Sequence, residues 1–168
     1  MSKKHPIVAV TGSSGSGTSN VKTAFEFIFR DEGIKPAIIE GDSYHRYNRK
    51  DMDEATRKAE AENRSITHFG PEGNLFDELD ALFSGYAETG NGRRRYYVHN
   101  EEEALKQGSP PGTLTDWEAL EENTDLLFYE GLHGGLVYDN FNIAQYVDLL
   151  IGVVPIINLE WMQKIYRD

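Results

Sequence analysis

The chain has 168 residues, 39% of them hydrophobic, and a formal charge of -11. That length leaves room for one ordinary domain with a real hydrophobic core. The acidic balance excludes general binding to nucleic acid or anionic membranes, because no basic field exists to displace phosphate counterions. The absence of cysteine excludes disulfides and thiolate metal sites. The N-terminus passes from Lys3 and Lys4 directly into a strand-like segment, and no run of about 18 apolar residues occurs. These features predict a soluble, cytoplasmic protein.

In chain order, residues 7–10 (IVAV) form a short apolar run, a glycine-rich loop follows, and residues 19–32 show apolar positions at helical spacing closed by Gly33. A second run, PAIIE, ends at Gly41–Asp42, so the first 40 residues read as a βαβ unit. Residues 49–65 are highly charged without an apolar stripe, which predicts a solvated helix or mobile segment. An amphipathic helix is expected from about 74 to 86. GRRRYYVHN reads as a short strand, and KQGSPPGTLTDWEAL as a loop leading into a short helical segment. The runs DLLFYEG and YVDLLIGVVP have the nearly unbroken apolar character of strands buried on both faces of a parallel sheet. Strands alternating with helices predict an α/β domain. The chain stops within a helical pattern, PIINLEWMQKIYRD, that has no C-terminal stop signal, and this predicts an N-terminal portion of something longer.

The first glycine loop carries the main chemical signal. Against G-x-x-x-x-G-K-[ST], Gly12, Gly17 and Ser19 fall into register, but Thr18 stands where lysine belongs. Glycines that let consecutive N–H groups turn toward a phosphate, followed by a helix N-terminus, do not require that lysine. The candidate ATP site is therefore Gly12, Ser13, Ser14, Gly15, Ser16, Gly17, Thr18, Ser19 and Asn20, with the Ser19 hydroxyl available to Mg²⁺. The missing cation has to come from a distant segment, and Lys22 reads as a solvated helix residue.

In EGDSYHRYNR a carboxylate at a strand end, Asp42, is followed by His45, Arg46 and Arg49. Ligands of open α/β sheets gather at the C-terminal strand ends. Asp42 can there accept a hydroxyl proton while basic neighbours hold an anionic acceptor; a charged surface loop with Asp42 capping a turn is the alternative. Glu130, at the end of a later strand, can orient magnesium directly or through water, or serve as a turn carboxylate. Lys164, Arg167 and Asp168 share one helix face, where they form either a salt-bridged surface or the cationic group that Thr18 lacks. Arg93, Arg94 and Arg95 are a weak signal, explained by a solvated hairpin tip at least as well as by ligand binding; His99 is a weak candidate, and His133 reads equally as ligand or satisfied turn residue. Trp117 and Trp161 read as packing residues, and Tyr44 and Tyr47, which flank His45, read as core packing with the lining of a pocket as the alternative.

Together, VTGSSGSGTS, EGDSYHRYNR, YVHN, TDWE, LLFYEGLHGG and IGVVPIINLEWMQKIYRD resemble the phosphoribulokinase family of bacterial type, in the family's order and across essentially the whole chain. That family also has threonine in place of the loop lysine. The resemblance implies a three-layer P-loop kinase fold with a mainly parallel sheet, incomplete at the C-terminus, with residues 1–168 as one nucleotide-binding kinase domain. It implies transfer of the γ-phosphate of Mg-ATP to the 1-hydroxyl of D-ribulose 5-phosphate, giving ribulose 1,5-bisphosphate for the Calvin cycle.

By the same resemblance Asp42 is the catalytic base and Lys164 a catalytic cation. His45, Arg49 and Arg167 bind the sugar phosphate, and Glu130 and Asp168 join Ser19 at magnesium. Full-length members of the family are homo-oligomers. A related P-loop kinase acting on a nucleoside or another small metabolite, and a truncated nucleotide-binding module without catalysis, are the competing expectations. The grouping of Asp42, His45 and Arg49 argues against a neutral nucleoside acceptor.

Overall fold

The structure, a computed structural model, describes residues 4–156 together with Met162 and Ile165. Trp161, Lys164, Arg167 and Asp168 lie outside the described residues. Four parallel strands form the central sheet: β1 (Ile7–Gly12), β2 (Pro36–Glu40), β5 (Leu126–Gly131) and β8 (Leu149–Val153), in the order β2-β5-β1-β8. The expected α/β architecture with a parallel sheet is thus present.

Strand alternation divides the core into two faces. On one, Val10 and Phe128 pack with Phe29 of α1 (Thr18–Glu32), with Phe25 beside them. On the other, Ile7, Ala9, Leu127 and Tyr129 meet Leu79, Leu82, Phe83 and Tyr86 of α3 (Phe76–Thr89). Both helices end where glycine adopts a left-handed conformation, Gly33 at φ 68 and Gly90 at φ 74, which removes the steric penalty of terminating there. Helix, sheet and helix make three layers.

Several connecting elements differ from the expectation. The segment 49–65 is a helix only over α2 (Arg49–Ala61), capped by the Asn48 side chain, and it buries Met52 and Ala59. Those two residues are an apolar contact seven positions apart, too sparse to register as a stripe. The helix α4 (Glu101–Gln107) was hidden in a polar stretch; its signal is a cap, since Asn100 Oδ1 accepts from Glu103 N at 3.0 Å and Glu103 Oε2 accepts from His99 N at 2.7 Å.

The segment after Trp117 is not helical: β4 (Glu118–Ala119) pairs antiparallel with β3 (Arg93–Arg94), and Arg94 Nε donates to Glu118 Oε1 at 2.9 Å. A small hairpin, β6 (Val137–Tyr138) with β7 (Phe141–Asn142), follows β5. Strand β8 is also unlike the fully buried strand expected from its composition, because Leu149 and Leu150 are about half exposed at the edge of the described sheet. Among the described residues no helix is long and apolar enough to cross a membrane.

Phe128 is fully buried and lies 5.1 Å from the Phe25 ring and 5.4 Å from the Phe29 ring. Truncation leaves a cavity between sheet and helix. Phe128→Ala is expected to lower unfolding stability by about 3–5 kcal/mol, read as a lower urea midpoint with an unchanged slope.

Candidate active site

At the C-terminal end of β1 the chain turns through Gly15 at φ 82 and Gly17 at φ 98 before α1 begins. These left-handed positions curl the loop back on itself, closed by Ser16 N donating to Ser13 O at 2.9 Å. Gly12 has no space for a side chain: a Cβ there would stand 2.4 Å from Ser16 Oγ and 2.8 Å from the Val153 carbonyl oxygen. Helix α1 has no side-chain cap at Gly17 and no acidic residue in its first turn. Asn20 N closes a tight first turn on Gly17 O at 3.1 Å, and the N–H groups before it have no intrahelical acceptors, so the positive end of the helix is open to an anion. The Ser16 hydroxyl is buried with no partner among the described residues, an orphan polar atom that fits a polar ligand in the loop.

Strand register brings the acidic residues to this loop. Glu130 stands opposite both Val10 of β1 and Glu40 of β2, and alternation turns it toward the α1 face. The Thr18 hydroxyl hydrogen-bonds to the Glu130 carboxyl there, and burial pushes that carboxyl above its ordinary range despite Thr18 and the charge of Lys22. Lys22 is not the solvated residue expected from its position. Its ammonium pairs closely with Glu40, and its side chain is 21% exposed. Burial alone would lower its pKa, but the Glu40 hydrogen bond and charge carry it upward. Thr18 and Lys22 are one helical turn apart, so one face of α1 engages both strand-end carboxylates.

Among the described residues no cluster of three or more His, Cys, Asp or Glu could hold a metal ion. Magnesium takes hard oxygen donors, one or two from protein and the rest from phosphate and water. Ser19, exposed in the first turn of α1, and Glu130 are the described residues that could contribute.

A second cluster lies just beyond β2. The turn Gly41–Tyr44 raises Asp42 above the strand end, where its side chain is 53% exposed. Gly41 permits this turn: an added Cβ would come within 2.5 Å of Tyr129 Oη and 3.0 Å of Gly131 Cα. Asp42 Oδ1 is 3.3 Å from His45 Nε2, and Oδ2 is 3.6 Å from His99 Nε2. The His45 hydrogen bond, helped by the charges of His45, His99 and His68, holds Asp42 below its usual range although burial opposes this. Burial disfavours charged His45, yet Asp42 and Asn74 together raise its pKa. Asp42, His45, Arg49, His68, Tyr97 and His99 line a pocket of about 270 Å³, with Tyr47 also on its wall.

The structure brings Asp42, His45 and Arg49 into one pocket, joins to them His99, a weak candidate in the sequence, and adds His68 and Tyr97. His99 is placed by the cap of α4, a local signal that sequence reasoning passed over. His68 comes from a loop with no motif. Tyr44 and Trp117 are packing residues as expected, with ring centroids 5.4 Å apart. His133 is a satisfied structural residue: it is buried, its Nε2 is 3.1 Å from the Phe69 carbonyl oxygen, and burial lowers its pKa.

The arginine run is not a solvated tip. Arg95 donates from Nε to Ser43 O at 2.8 Å and from Nη2 to His45 O at 2.7 Å, with its guanidinium 4.6 Å from the Trp117 ring. It clamps the backbone on both sides of Tyr44 and so fixes the segment that carries Asp42. Arg93 stacks on the same indole and pairs with Glu78 at 2.6 Å.

A glycine loop feeding an uncapped helix inside a parallel sheet, with carboxylates on the neighbouring strand ends, is the architecture of the P-loop fold. Residues 7–168 match the model of the Phosphoribulokinase / Uridine kinase family, and the chain belongs to that family. It is 59% identical over its full length to the chromosomal phosphoribulokinase of Cupriavidus necator and 54% identical to the probable phosphoribulokinase of Escherichia coli. The chain spans 58% of the length of each of these relatives. The solved phosphoribulokinase from Rhodobacter spheroides superposes with a TM-score of 0.86 at 50% identity, over 99% of this chain and 57% of that one. A possible uridine kinase from Bacillus stearothermophilus, at 14% identity and a TM-score of 0.61, shares the fold.

Two charge-assisted hydrogen bonds through one planar fork explain why arginine stands at position 95. Arg95→Ala is expected to cost about 2 kcal/mol, and Arg95→Lys to recover little of it, because an ammonium cannot span both carbonyls. Urea unfolding measures the cost, and faster amide exchange across residues 43–46 would locate it.

Proposed function

We propose that this chain is the nucleotide- and substrate-binding part of a phosphoribulokinase, a cytoplasmic enzyme that phosphorylates the 1-hydroxyl of D-ribulose 5-phosphate at the expense of ATP. The observation that carries this reading is Asp42. It is a carboxylate held ionised at a strand end, with His45 and His99 on its two oxygens and Arg49 in the same pocket. A base beside cationic groups suits an acceptor that bears both a hydroxyl and a phosphate. A neutral nucleoside would have no use for that charge.

In this reading the turns at Gly15 and Gly17 aim backbone N–H groups at the ATP phosphates, and the N-terminus of α1 adds its dipole. The polyphosphate rests along Gly12–Asn20. Ser19 and Glu130 would hold Mg²⁺, whose chemistry is to neutralise charge on the phosphate oxygens. Thr18, tied to Glu130, orients that carboxyl, and Lys22 balances the charge of Glu40 beside it. In the second pocket His45 and Arg49 hold the sugar phosphate and leave the 1-hydroxyl against Asp42.

Asp42 takes the hydroxyl proton as the oxygen forms its bond to the γ-phosphorus. The bond from that phosphorus to the bridging oxygen breaks, and ADP leaves with the electron pair. Lys164 and Arg167, from the far end of the chain, are assigned the cationic role that Thr18 cannot fill, Arg167 also touching the sugar phosphate, and Asp168 joins the magnesium group. Assembly into homo-oligomers belongs to the same reading.

The deciding experiment is ATP-dependent phosphorylation of ribulose 5-phosphate by this chain, with uridine as the competing acceptor. Transfer to the sugar phosphate alone is expected. Transfer to uridine would overturn the substrate, and Mg-ATP binding without transfer to either would reduce the chain to a nucleotide-binding module. Asp42→Asn should lower kcat by roughly 10²–10⁴-fold, with ATP affinity measured by calorimetry unchanged.

A further inference from the structure

Asn74 is 2% exposed and belongs to neither the phosphate loop nor the wall of the Asp42 pocket. Its side chain nevertheless makes three short polar contacts. Nδ2 donates to the carbonyl oxygens of His68 and Gly70, both at 2.8 Å, and Oδ1 lies 2.9 Å from Nδ1 of His45. The backbone reinforces this docking, with His45 and Asn74 bridged antiparallel, Arg46 N donating to Gly73 O at 2.8 Å and Leu75 N to Tyr44 O at 2.9 Å.

Proton counting on this chain leaves one solution. Carbonyl oxygens only accept, so the amide nitrogen of Asn74 must face His68 O and Gly70 O, and its oxygen must face His45. That oxygen also only accepts, so His45 Nδ1 carries a hydrogen. At the other side of the ring, Nε2 faces Asp42 Oδ1 at 3.3 Å, and an ionised carboxylate again only accepts. A proton on each ring nitrogen satisfies both oxygens.

We propose that Asn74 is a positioning residue that holds His45 as an imidazolium, giving the Asp42 pocket a fixed positive charge directed at the acceptor's phosphate. The groups around His45 are consistent with this charge state. Asp42 favours it, while Arg95, bonded to the His45 carbonyl oxygen, disfavours it. The His68 and Tyr97 rings stand edge-on at 5.7 and 6.1 Å, His99 shares Asp42 from the opposite side, and His133 lies behind the same loop. The raised pKa of His45 agrees in direction with the geometry. Neutral His45 would have to turn a lone pair toward either Asn74 Oδ1 or Asp42, and each is an oxygen that cannot donate.

The test is nitrogen-15 NMR of the imidazole rings as a function of pH on this chain without ligands, alongside Asn74→Ala and Asn74→Asp. His45 is expected to keep both protons past neutral pH, whereas buried His133 is neutral there. Asn74→Ala should weaken proton binding at His45 at least tenfold, a shift of one pKa unit or more. Asn74→Asp, which keeps an acceptor, should leave the ring doubly protonated. A merely structural role would make both variants alike. A singly protonated His45 at pH 7 in the unaltered chain overturns the proposal, as does an unchanged His45 titration in Asn74→Ala. Should the alanine variant not fold, the unaltered chain and the aspartate variant decide.

The kinetic arm rests on the sugar-phosphate reading above. KM for ribulose 5-phosphate should rise as pH passes the His45 titration, and in Asn74→Ala that rise should begin at a pH at least one unit lower, with kcat nearly unchanged. A rise in KM that ignores the NMR titration counts against the proposal. Lack of turnover with any sugar phosphate would sink the functional reading alone, because the protonation state is read without substrate.

Discussion

The insertion of β5 between β1 and β2 is the constraint from which the site follows. Because β5 pairs with both neighbours in parallel register, Glu130 lies level with Val10, two residues before β1 ends at Gly12, and with Glu40 at the end of β2. Three strand ends, from segments as much as 120 positions apart in the chain, thus open on one edge of the sheet. The close approach of Gly41 to Gly131 beneath the Tyr129 hydroxyl keeps β2 and β5 together at that edge. A side chain at Gly41 would collide with Gly131 Cα and the Tyr129 hydroxyl, so the turn that carries Asp42 requires glycine there.

Two halves of the site are supported in different ways. The phosphate loop depends on backbone: left-handed glycines, an uncapped helix and a buried hydroxyl without a partner. The Asp42 pocket depends on side chains that are themselves held by others. Arg95 pins the backbone around Tyr44, Glu103 fixes the residue before the α4 cap and with it His99, and Asn74 binds His45 to the loop at 68–70. Arg95 and Asn74 are far in sequence from the residues they support, whereas Glu103 acts locally. The bonds that Arg95 and Asn74 make to backbone carbonyls are part-buried and gain strength because the neighbouring protein shields them from water.

Lys22 and the arginine run illustrate how a charged residue escapes reading from composition. At helical or hairpin spacing, a charged side chain is usually solvated. Here Lys22 finds Glu40 because β2 lies beside β5 rather than beside β1, and Arg95 finds two carbonyls because β3 and β4 lay Trp117 against the turn after β2. Neither circumstance is written in the local pattern. The hidden helix α4 is a different case, since its cap was legible at Asn100 and Glu103 but carried no apolar stripe to draw attention to it.

The sequence by itself determined the loop, the two helices that sandwich the sheet, all four strands of that sheet, and the grouping of Asp42, His45 and Arg49. These are local features: glycine freedom, apolar periodicity and residues a few positions apart depend on short-range sterics and solvation. It also misjudged β8, whose composition suits a buried strand but whose place at the edge of the described sheet leaves it half exposed. Tertiary structure alone decided that His99 meets Asp42, that Lys22 is paired, that Arg95 is a clamp, and that Asn74 sets the protons of His45. Each of those depends on which strands are neighbours, and that order follows from burying two apolar faces at once.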